Sequence, residues 1–288
     1  MIDALTNLLR YSAPIGLAAL GETVGQKAGV INIGLEGMMV TSAYFAMVAT
    51  QVTGSPWLGM LAGVFAAVVL AALQAFFTLK LAADQVVVGT ALNLFGLGLT
   101  GTLFRMRYGN SGQLLSVARI PQFGGGFDAV LIAWIVAVAC LTWLLFRSNW
   151  GLVLRATGEY PPAVVAIGFS PLTVRLHAVL VGGAFAGLAG SYLALGVAGS
   201  FAENMTAGRG FVALAMVTFG RWKPVWVFAA SLVIGYADSL QFELQARGIG
   251  LPPQLFIALP YILVLAVLVV VGKGTSVPSA LARPYRPD

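Results

Sequence analysis

The sequence has few charged residues. Only 9% of its 288 residues are Asp, Glu, Lys or Arg, whereas 59% are hydrophobic. A water-soluble domain carries about 25% charged residues, so this composition excludes a soluble globular protein and indicates a chain that folds in lipid. The net charge of +6 is therefore interpreted as basic residues in loops at one membrane face, and no nucleic-acid partner is expected.

Cysteine and histidine are nearly absent as well. The one cysteine, Cys140, cannot form an internal disulfide, and the one histidine, His177, has no further ligands at metal-binding spacing. No Ser–His–acid set and no pair of carboxylates shares a plausible face, so we expect no catalytic activity and no cofactor bound by this chain. No stretch matches the phosphate-binding pattern Gly-x-x-x-x-Gly-Lys-Ser/Thr, so we do not expect the chain to hydrolyse ATP.

Long apolar runs dominate what is present. A helix that crosses a membrane needs roughly 20 mainly apolar residues, and runs such as 130–146 are apolar on every face, which excludes β-barrel alternation. We therefore predict an all-α, polytopic transmembrane bundle in a single domain of residues 1–288, with about nine spans, some broken or short. The predicted spans are 4–20, 30–50, 57–79, 85–104, 127–146, 174–198, 208–220, 224–240 and 253–272.

The distribution of lysine and arginine predicts the orientation. Cytoplasmic loops carry an excess of these residues, and ten of them fall on the face that also carries the C-terminal tail, against six on the other. The C-terminus is therefore predicted inside and the N-terminus outside. The inner set is Lys27, Lys80, Arg147, Arg155, Arg175, Arg221, Lys223, Lys273, Arg283 and Arg286, and the outer set is Arg10, Arg105, Arg107, Arg119, Arg209 and Arg247.

One stretch combines polar residues with glycines at the start of an apolar run. Residues 29–39 include Asn32 and Glu36 among three glycines. A carboxylate at membrane depth costs about 2.5 kcal/mol or more, so Glu36 is expected to face protein or water. Two interpretations stay open: Glu36 lies on a substrate path, or it pairs with a neighbouring helix or caps a broken one. Residues 201–216 have a comparable polar and glycine-rich composition.

The loop at about 147–175 is too polar to cross the membrane but apolar enough to fold. Pro161 and Pro162 favour a helix start, and Gly168 favours its end. Arg155 and Glu159 are four residues apart, a spacing that allows an ion pair on a helix face. The pattern predicts a short helix parallel to the membrane at the cytoplasmic face, either a handle for a soluble partner or a plain surface helix.

Four segments resemble one known family. Residues 21–39, with the sequence Asn-Ile-Gly-Leu-Glu-Gly at 32–37, resemble the signature of permease subunits of ABC importers in the branched-chain amino acid, simple sugar and nucleoside group. Within that group they look most like the shorter of two nucleoside permeases that pair. Residues 85–93, 154–159 with 166–168, and 208–224 resemble further segments of the same family, while Tyr160 and the second proline at 162 depart from its usual pattern.

The resemblance implies a function and a set of partners. It implies a non-catalytic permease, multi-pass in a bacterial inner (plasma) membrane, that works with an ABC ATPase holding ATP-Mg, a second permease in a heterodimer, and an extracytoplasmic solute-binding protein. Permeases for simple sugars or branched-chain amino acids, and a stand-alone secondary transporter, are the alternatives. The implied path residues are Asn32, Glu36 and Asn93, and the implied ATPase-coupling residues are Arg155, Gly158, Glu159, Ala166 and Gly168.

Overall fold

The structure, a computed structural model, describes residues 2–109, 116–246, 253–271 and 277–285. Within these ranges the chain is almost entirely helical and adds one isolated bridge between Gln122 and Asp128, so the predicted all-α fold is confirmed. The helices of the described residues are α1 (Ile2–Lys27), α2 (Leu35–Thr53), α3 (Pro56–Ala75), α4 (Gln85–Tyr108), α5 (Ala129–Arg147), α6 (Asn149–Glu159), α7 (Pro161–Ala166), α8 (Pro171–Tyr192), α9 (Arg209–Phe219), α10 (Pro224–Ala246) and α11 (Pro253–Val271). Two of them, α3 and α8, continue as π-helical turns at Phe76–Lys80 and Leu193–Ala198.

Several helices are long and apolar enough to cross a membrane. Among the described residues five meet that standard, and two shorter apolar helices lie at Arg209–Phe219 and Gln254–Ala266. The five are Pro56–Lys80, Gln85–Tyr108, Ala129–Arg147, Pro171–Ala198 and Pro224–Gln245. This confirms a polytopic helical bundle, while the count of nine spans stays a prediction. In the α8 span 72% of the most apolar window is buried, against 28–39% in the other four, so α8 is the most buried of these five helices.

The local sequence explains where several helices begin and end. Gly54 adopts a left-handed backbone conformation after α2, and Pro56 follows as the first residue of α3. The Asp84 carboxylate accepts from the backbone N–H groups of Val86 and Val87 and so caps α4. These helix boundaries follow from residues within a few positions of the break.

Glycines allow α8 to pack closely against α2 and α3. A Cβ atom on Gly190 would lie 2.0 Å from the carbonyl oxygen of Met39, and one on Gly187 would lie 2.7 Å from Cα of Val64. Such distances leave no room for a side chain, so the backbones are in contact. Close approach through small residues is the usual way in which helices associate in lipid, where burial of apolar surface drives little.

Contacts between distant residues define the two ends of the bundle. At one end Gly158 lies against the Lys27 carbonyl, and the Ala280 N–H donates to the Gly158 carbonyl at 2.9 Å. At the other end Arg105 forms an ion pair with Glu203 at 2.6 Å. The basic-residue count assigned Lys27 to the inner face and Arg105 to the outer, and the structure separates them in the same way. Arg247, Lys273 and Arg286, which entered that count, lie outside the described residues.

The helix α9 is apolar but too short to cross a membrane. Its 11 residues span about 16 Å, roughly half the hydrocarbon thickness. Just after its end, the Trp222 indole N–H donates to Gln26 near the inner end of α1. Residues 199–208 therefore return from the outer end of α8 to the middle of the bundle, where α9 starts.

Candidate functional site

Residues 28–34, which join α1 to α2, are non-helical, and side chains from other helices bind their backbone. The Ile31 N–H donates to Oε1 of Gln85 at 2.8 Å, and Nε2 of Gln74 donates to the Ile31 carbonyl at 3.3 Å. Both glutamines are buried. Backbone polar groups at membrane depth must find partners inside the protein, so α3 and α4 make this break in the helix possible.

Asn32 and Glu22 belong to a buried hydrogen-bond network. The Asn32 N–H and Nε2 of Gln26 both donate to Oε1 of Glu22, at 3.0 and 2.8 Å. Trp222 extends the network by donating to Gln26 at 2.7 Å, which ties the end of α9 to the end of α1. The Asn32 amide nitrogen contacts the Met38 sulfur at 3.3 Å, so the predicted path residue faces its own segment.

Asn93 fastens α4 to the start of α2. Its Nδ2 donates to the Ile33 carbonyl at 2.8 Å, and its Oδ1 accepts from the Gly37 N–H at 2.7 Å. Gly37 is required at this contact, because a Cβ atom there would lie 2.5 Å from the Leu92 carbonyl oxygen. Asn93 thus replaces a helix cap for the first turn of α2.

Glu36 caps α9. One carboxylate oxygen accepts from the Gly208 N–H and the other from the Gly210 N–H, each at 2.7 Å, and the side chain is buried. A carboxylate at a helix N-terminus satisfies unpaired N–H groups and the helix dipole together. Of the two interpretations of Glu36, the structure shows the capping contact. The structure gathers Asn32, Glu36 and Asn93 around one pair of broken helices, and their role on a substrate path stays a prediction.

The predicted coupling loop contains α6 and α7. The short helix α7 begins at Pro161, and Gly168 follows its end with a left-handed φ of 84°, as the proline and glycine positions predict. Val165, Ile167 and Phe169 are 49–61% exposed there, and Ala166 and Gly168 are exposed as well. We call residues 160–169 the inner apolar loop. It presents large apolar side chains beyond the ends of the spans.

Arg155 and Glu159 do not pair with each other. Arg155 donates to the Gly151 carbonyl at 3.3 Å and lies over the Phe146 ring at 5.2 Å. Glu159 instead accepts from the hydroxyl and the N–H of Ser279 in the C-terminal tail, at 3.0 and 3.2 Å. The four-residue spacing was a correct sign that both lie on α6, but each side chain has a different partner.

Arg175 holds the tail against the inner end of the bundle. The side chain is only 1% exposed and donates to the carbonyls of Ala28, Ala280 and Arg283, at 3.1, 3.4 and 3.0 Å. The Ala282 N–H donates in turn to the Gly29 carbonyl at 3.2 Å. Sequence reasoning did not select Arg175. Its one signal was an arginine near the start of an apolar span.

The electrostatics of this end are set by Lys27, which ends α1 beyond the predicted span. Burial lowers the pKa of Lys27, the nearby positive charges of Arg155 and Lys223 lower it further, and the Glu159 carboxylate opposes them. Within the ranges that the structure describes, no three His, Cys, Asp or Glu side chains are grouped to hold a metal ion. The arrangement is one of packed helices joined by backbone contacts.

Comparison with known proteins gives a family and named relatives. A family model described as branched-chain amino acid transport system / permease component matches residues 4–271. The putative glucose ABC transporter permease protein TsgC13 of Haloferax volcanii is 34% identical, over 93% of this chain and 93% of its own. The guanosine ABC transporter permease protein NupQ of Bacillus subtilis is 33% identical over 96% and 94%. The nucleoside ABC transporter permease protein NupC of Lactococcus lactis is 32% identical over 94% and 92%.

Bacillus subtilis and Lactococcus lactis each have a second permease that also matches this chain, at lower identity. These are the guanosine ABC transporter permease protein NupP of Bacillus subtilis, at 26%, and the nucleoside ABC transporter permease protein NupB of Lactococcus lactis, at 21%. The chain covers 70% and 74% of their lengths, whereas it covers more than 90% of NupQ and NupC. The present chain is thus similar in length to NupQ and NupC.

Proposed function

We propose that this chain, which belongs to the family of permease components of branched-chain amino acid transport systems, imports nucleosides. It is a permease subunit of an ABC importer and a multi-pass protein of the inner membrane. The observation that carries the nucleoside assignment is the identity of 33% and 32% with NupQ and NupC over more than nine-tenths of the chain. Glucose is the second candidate, because TsgC13 is 34% identical.

The motor is proposed to be a separate ABC ATPase that hydrolyses ATP-Mg and docks on the inner apolar loop. This loop exposes Val165, Ile167 and Phe169 at the inner end of the bundle, a composition suited to a groove on a soluble partner. Two basic residues of that face, Arg147 and Arg155, lie on the helices that lead to it. The coupling roles of Arg155, Gly158, Glu159, Ala166 and Gly168 are part of this proposal.

A second permease and a solute-binding protein complete the proposed importer. The presence of a second, longer permease in both bacteria supports a heterodimer in which this chain is the shorter partner. A solute-binding protein would deliver substrate to the outer end, where Arg105 and Glu203 lie.

A continuous set of contacts connects the inner apolar loop to the broken helices. Gly158 at the end of α6 lies against the Lys27 carbonyl and Gly29. Residues 28–34 lead from there to α2, and Glu36 joins α2 to the start of α9. Movement of the ATPase would shift α6 and α7, and with them both broken helices. This supports alternating access, in which nucleotide and substrate change the populations of outward and inward states.

The substrate assignment is tested by reconstituting this chain in proteoliposomes with its ATPase, second permease and binding protein. Uptake of radiolabelled guanosine is measured with ATP inside the vesicles and competed with unlabelled adenosine, glucose or leucine. We expect adenosine to compete and glucose and leucine to have no effect. Radiolabelled glucose is measured in a parallel assay, and uptake of glucose without uptake of guanosine would transfer the assignment to the second candidate.

A further inference from the structure

Two cavities open in the outer half of the bundle. One, of about 400 Å³, is bounded by α1, the π-helical turn Leu193–Ala198, residues 200–205 and Arg209. The other, of about 580 Å³, lies between α1 and α10. Both fall in the range of about 300–1,000 Å³ typical of small-molecule sites, and Tyr11 lines both. They are therefore neighbouring compartments on either side of one tyrosine.

Polar side chains line each of the two compartments. Tyr11, Ser200 and Arg209 line the smaller one, and Asn7, Tyr11, Ser239 and Glu243 line the larger one. Elsewhere on the spans many exposed side chains are large and apolar, such as Leu61, Phe65 and Val87, as lipid contact requires. Polar groups at membrane depth face a protein interior or a water-filled path. This cluster is therefore suited to contact with water or protein and not with lipid.

Irregular backbone concentrates around the smaller cavity. Pro14 lies on its α1 wall and has no N–H, which leaves the Arg10 carbonyl without its helical donor. The π-helical turn Leu193–Ala198 forms the facing wall, and the non-helical residues 200–205 close it. Irregular backbone at membrane depth is tolerated where it is buried in protein or lines an aqueous cavity, and π-helical turns are frequent at functional sites.

Arg209 lines the smaller cavity and forms an ion pair with Asp238, so the pair carries almost no net charge. The Arg209 guanidinium donates to Asp238 at 3.3 Å and to the carbonyls of Met205 and Thr206, and its side chain is 18% exposed. The charge of the arginine is thus balanced by a buried carboxylate. A paired guanidinium of this kind offers N–H donors to a neutral ligand but attracts a phosphate or a carboxylate only weakly.

We propose that these two cavities form the outer part of the substrate path and bind a neutral nucleoside, with the Tyr11 ring against the base and Arg209 donating to an acceptor on the base, either a carbonyl oxygen or a ring nitrogen. The inference rests on the proposed function and names the site and the ligand class for it. The hydroxyls of Ser200 and Ser239 match the ribose hydroxyls. Nucleotides are rejected, because their phosphate finds no uncompensated positive charge at Arg209 and meets the carboxylate of Glu243 in the larger cavity. The path then lies beside Glu36 rather than through it.

Cysteine labelling tests the site, because Cys140 is the single native cysteine and lies exposed on α5. In a Cys140→Ser parent, Ser200→Cys and Ser239→Cys are introduced one at a time into the assembled importer. A membrane-impermeant cationic thiosulfonate is added from outside, and labelling rates are measured by mass spectrometry with and without guanosine. The wild-type Cys140 is the matched control, since it lies on the apolar face of another helix.

We expect both new cysteines to react faster than Cys140, and guanosine at about ten times its Kd to slow Ser200→Cys labelling about tenfold. Guanosine monophosphate should give no protection. Equal labelling rates with and without guanosine, or no labelling at either position, would overturn the proposed site. Guanosine uptake by the Cys140→Ser parent is measured separately. If guanosine uptake persists while labelling argues against the site, the proposed function still stands. If guanosine uptake is absent and glucose protects the cysteines from labelling, both the nucleoside site and the proposed function are overturned.

Discussion

Glu36 and Gly210 hold the first turns of α2 and α9 together across 174 residues of sequence. The Glu36 carboxylate accepts the Gly210 N–H at 2.7 Å, and a Cβ atom on Gly210 would lie 2.5 Å from the Glu36 backbone nitrogen. Two broken helices therefore begin at one point, and one carboxylate serves both. Interrupted helices that meet in the membrane are a feature of transporter paths.

The capping role of Glu36 predicts a graded loss of stability. Glu36→Ala leaves the Gly208 and Gly210 N–H groups without their acceptor, at a cost of about 1–3 kcal/mol for each buried group. Glu36→Gln keeps one carbonyl oxygen and should lose less. Thermal unfolding of the purified proteins measures their stability, which should decrease from wild type to Glu36→Gln to Glu36→Ala. Glu203→Ala, at an exposed carboxylate, is the control and should change the stability little. Equal stability of the three Glu36 forms would contradict the cap, and full transport by Glu36→Ala would exclude a path role.

The contact between Gly158 and Lys27 predicts an uncoupled variant. In Gly158→Ala the added Cβ would lie 2.2 Å from a backbone carbonyl, so α6 must move away from α1. We expect substrate uptake to fall several-fold while ATP hydrolysis by the assembled importer continues. Gly98→Ala is the control, because nothing lies within 4 Å of a Cβ at this helical position. An unchanged ratio of uptake to hydrolysis in Gly158→Ala would count against the coupling role.

The hydrogen bonds of Arg175 to the C-terminal tail predict that the tail loses protection when this side chain is replaced. Arg175→Gln removes hydrogen bonds from a charged group, each worth about 1.5–3 kcal/mol, so loss of even one should raise amide exchange in the tail about tenfold or more. Hydrogen exchange of the peptide containing residues 277–285 measures this. Arg147→Gln, at an exposed arginine of the predicted inner set, should leave exchange of that peptide unchanged. Unaltered protection in Arg175→Gln would mean that other contacts hold the tail.

The exposed apolar side chains of the inner apolar loop predict a docking defect. Ile167, 61% exposed, should tolerate aspartate without loss of fold, since surface substitutions usually change stability by about 0.5 kcal/mol or less. Ile167→Asp should nevertheless reduce the amount of ATPase that co-purifies with the permease. Val52→Asp, equally apolar and exposed at the outer end of α2, is the matched control. Normal recovery of the ATPase with Ile167→Asp would place the docking surface elsewhere.

Helix boundaries could be predicted because their causes are local. The break between the spans predicted at 30–50 and 57–79 and the start of α7 at Pro161 follow from proline and glycine within a few residues. Six of the nine predicted spans agree with the helices and their π-helical turns to within four residues at both ends. By contrast, α1 runs seven residues past its predicted end at 20, α2 begins five residues after its predicted start at 30, and α10 runs six residues past its predicted end at 240. The overall class followed from the scarcity of charge. These features require no knowledge of which helices are neighbours.

The partners of buried polar groups could not be predicted, because they depend on packing between distant segments. Arg175 binds a carbonyl 108 residues away, and Gln85 binds Ile31 across 54. Glu36 shows why: a carboxylate beside glycines gives the same sequence signal whether it caps a helix or binds a substrate. The outer cavities were missed for the same reason, since Tyr11, Arg209 and Ser239 share no local pattern.

Uptake of guanosine into proteoliposomes tests the central claim, that the chain is a conduit moved by an ATPase at its inner end. The complete importer is compared with this chain alone, with ATP inside the vesicles or with only a proton or sodium gradient. We expect guanosine uptake only when ATP and the ATPase are both present. Guanosine accumulation by this chain alone, driven by an ion gradient, would contradict it.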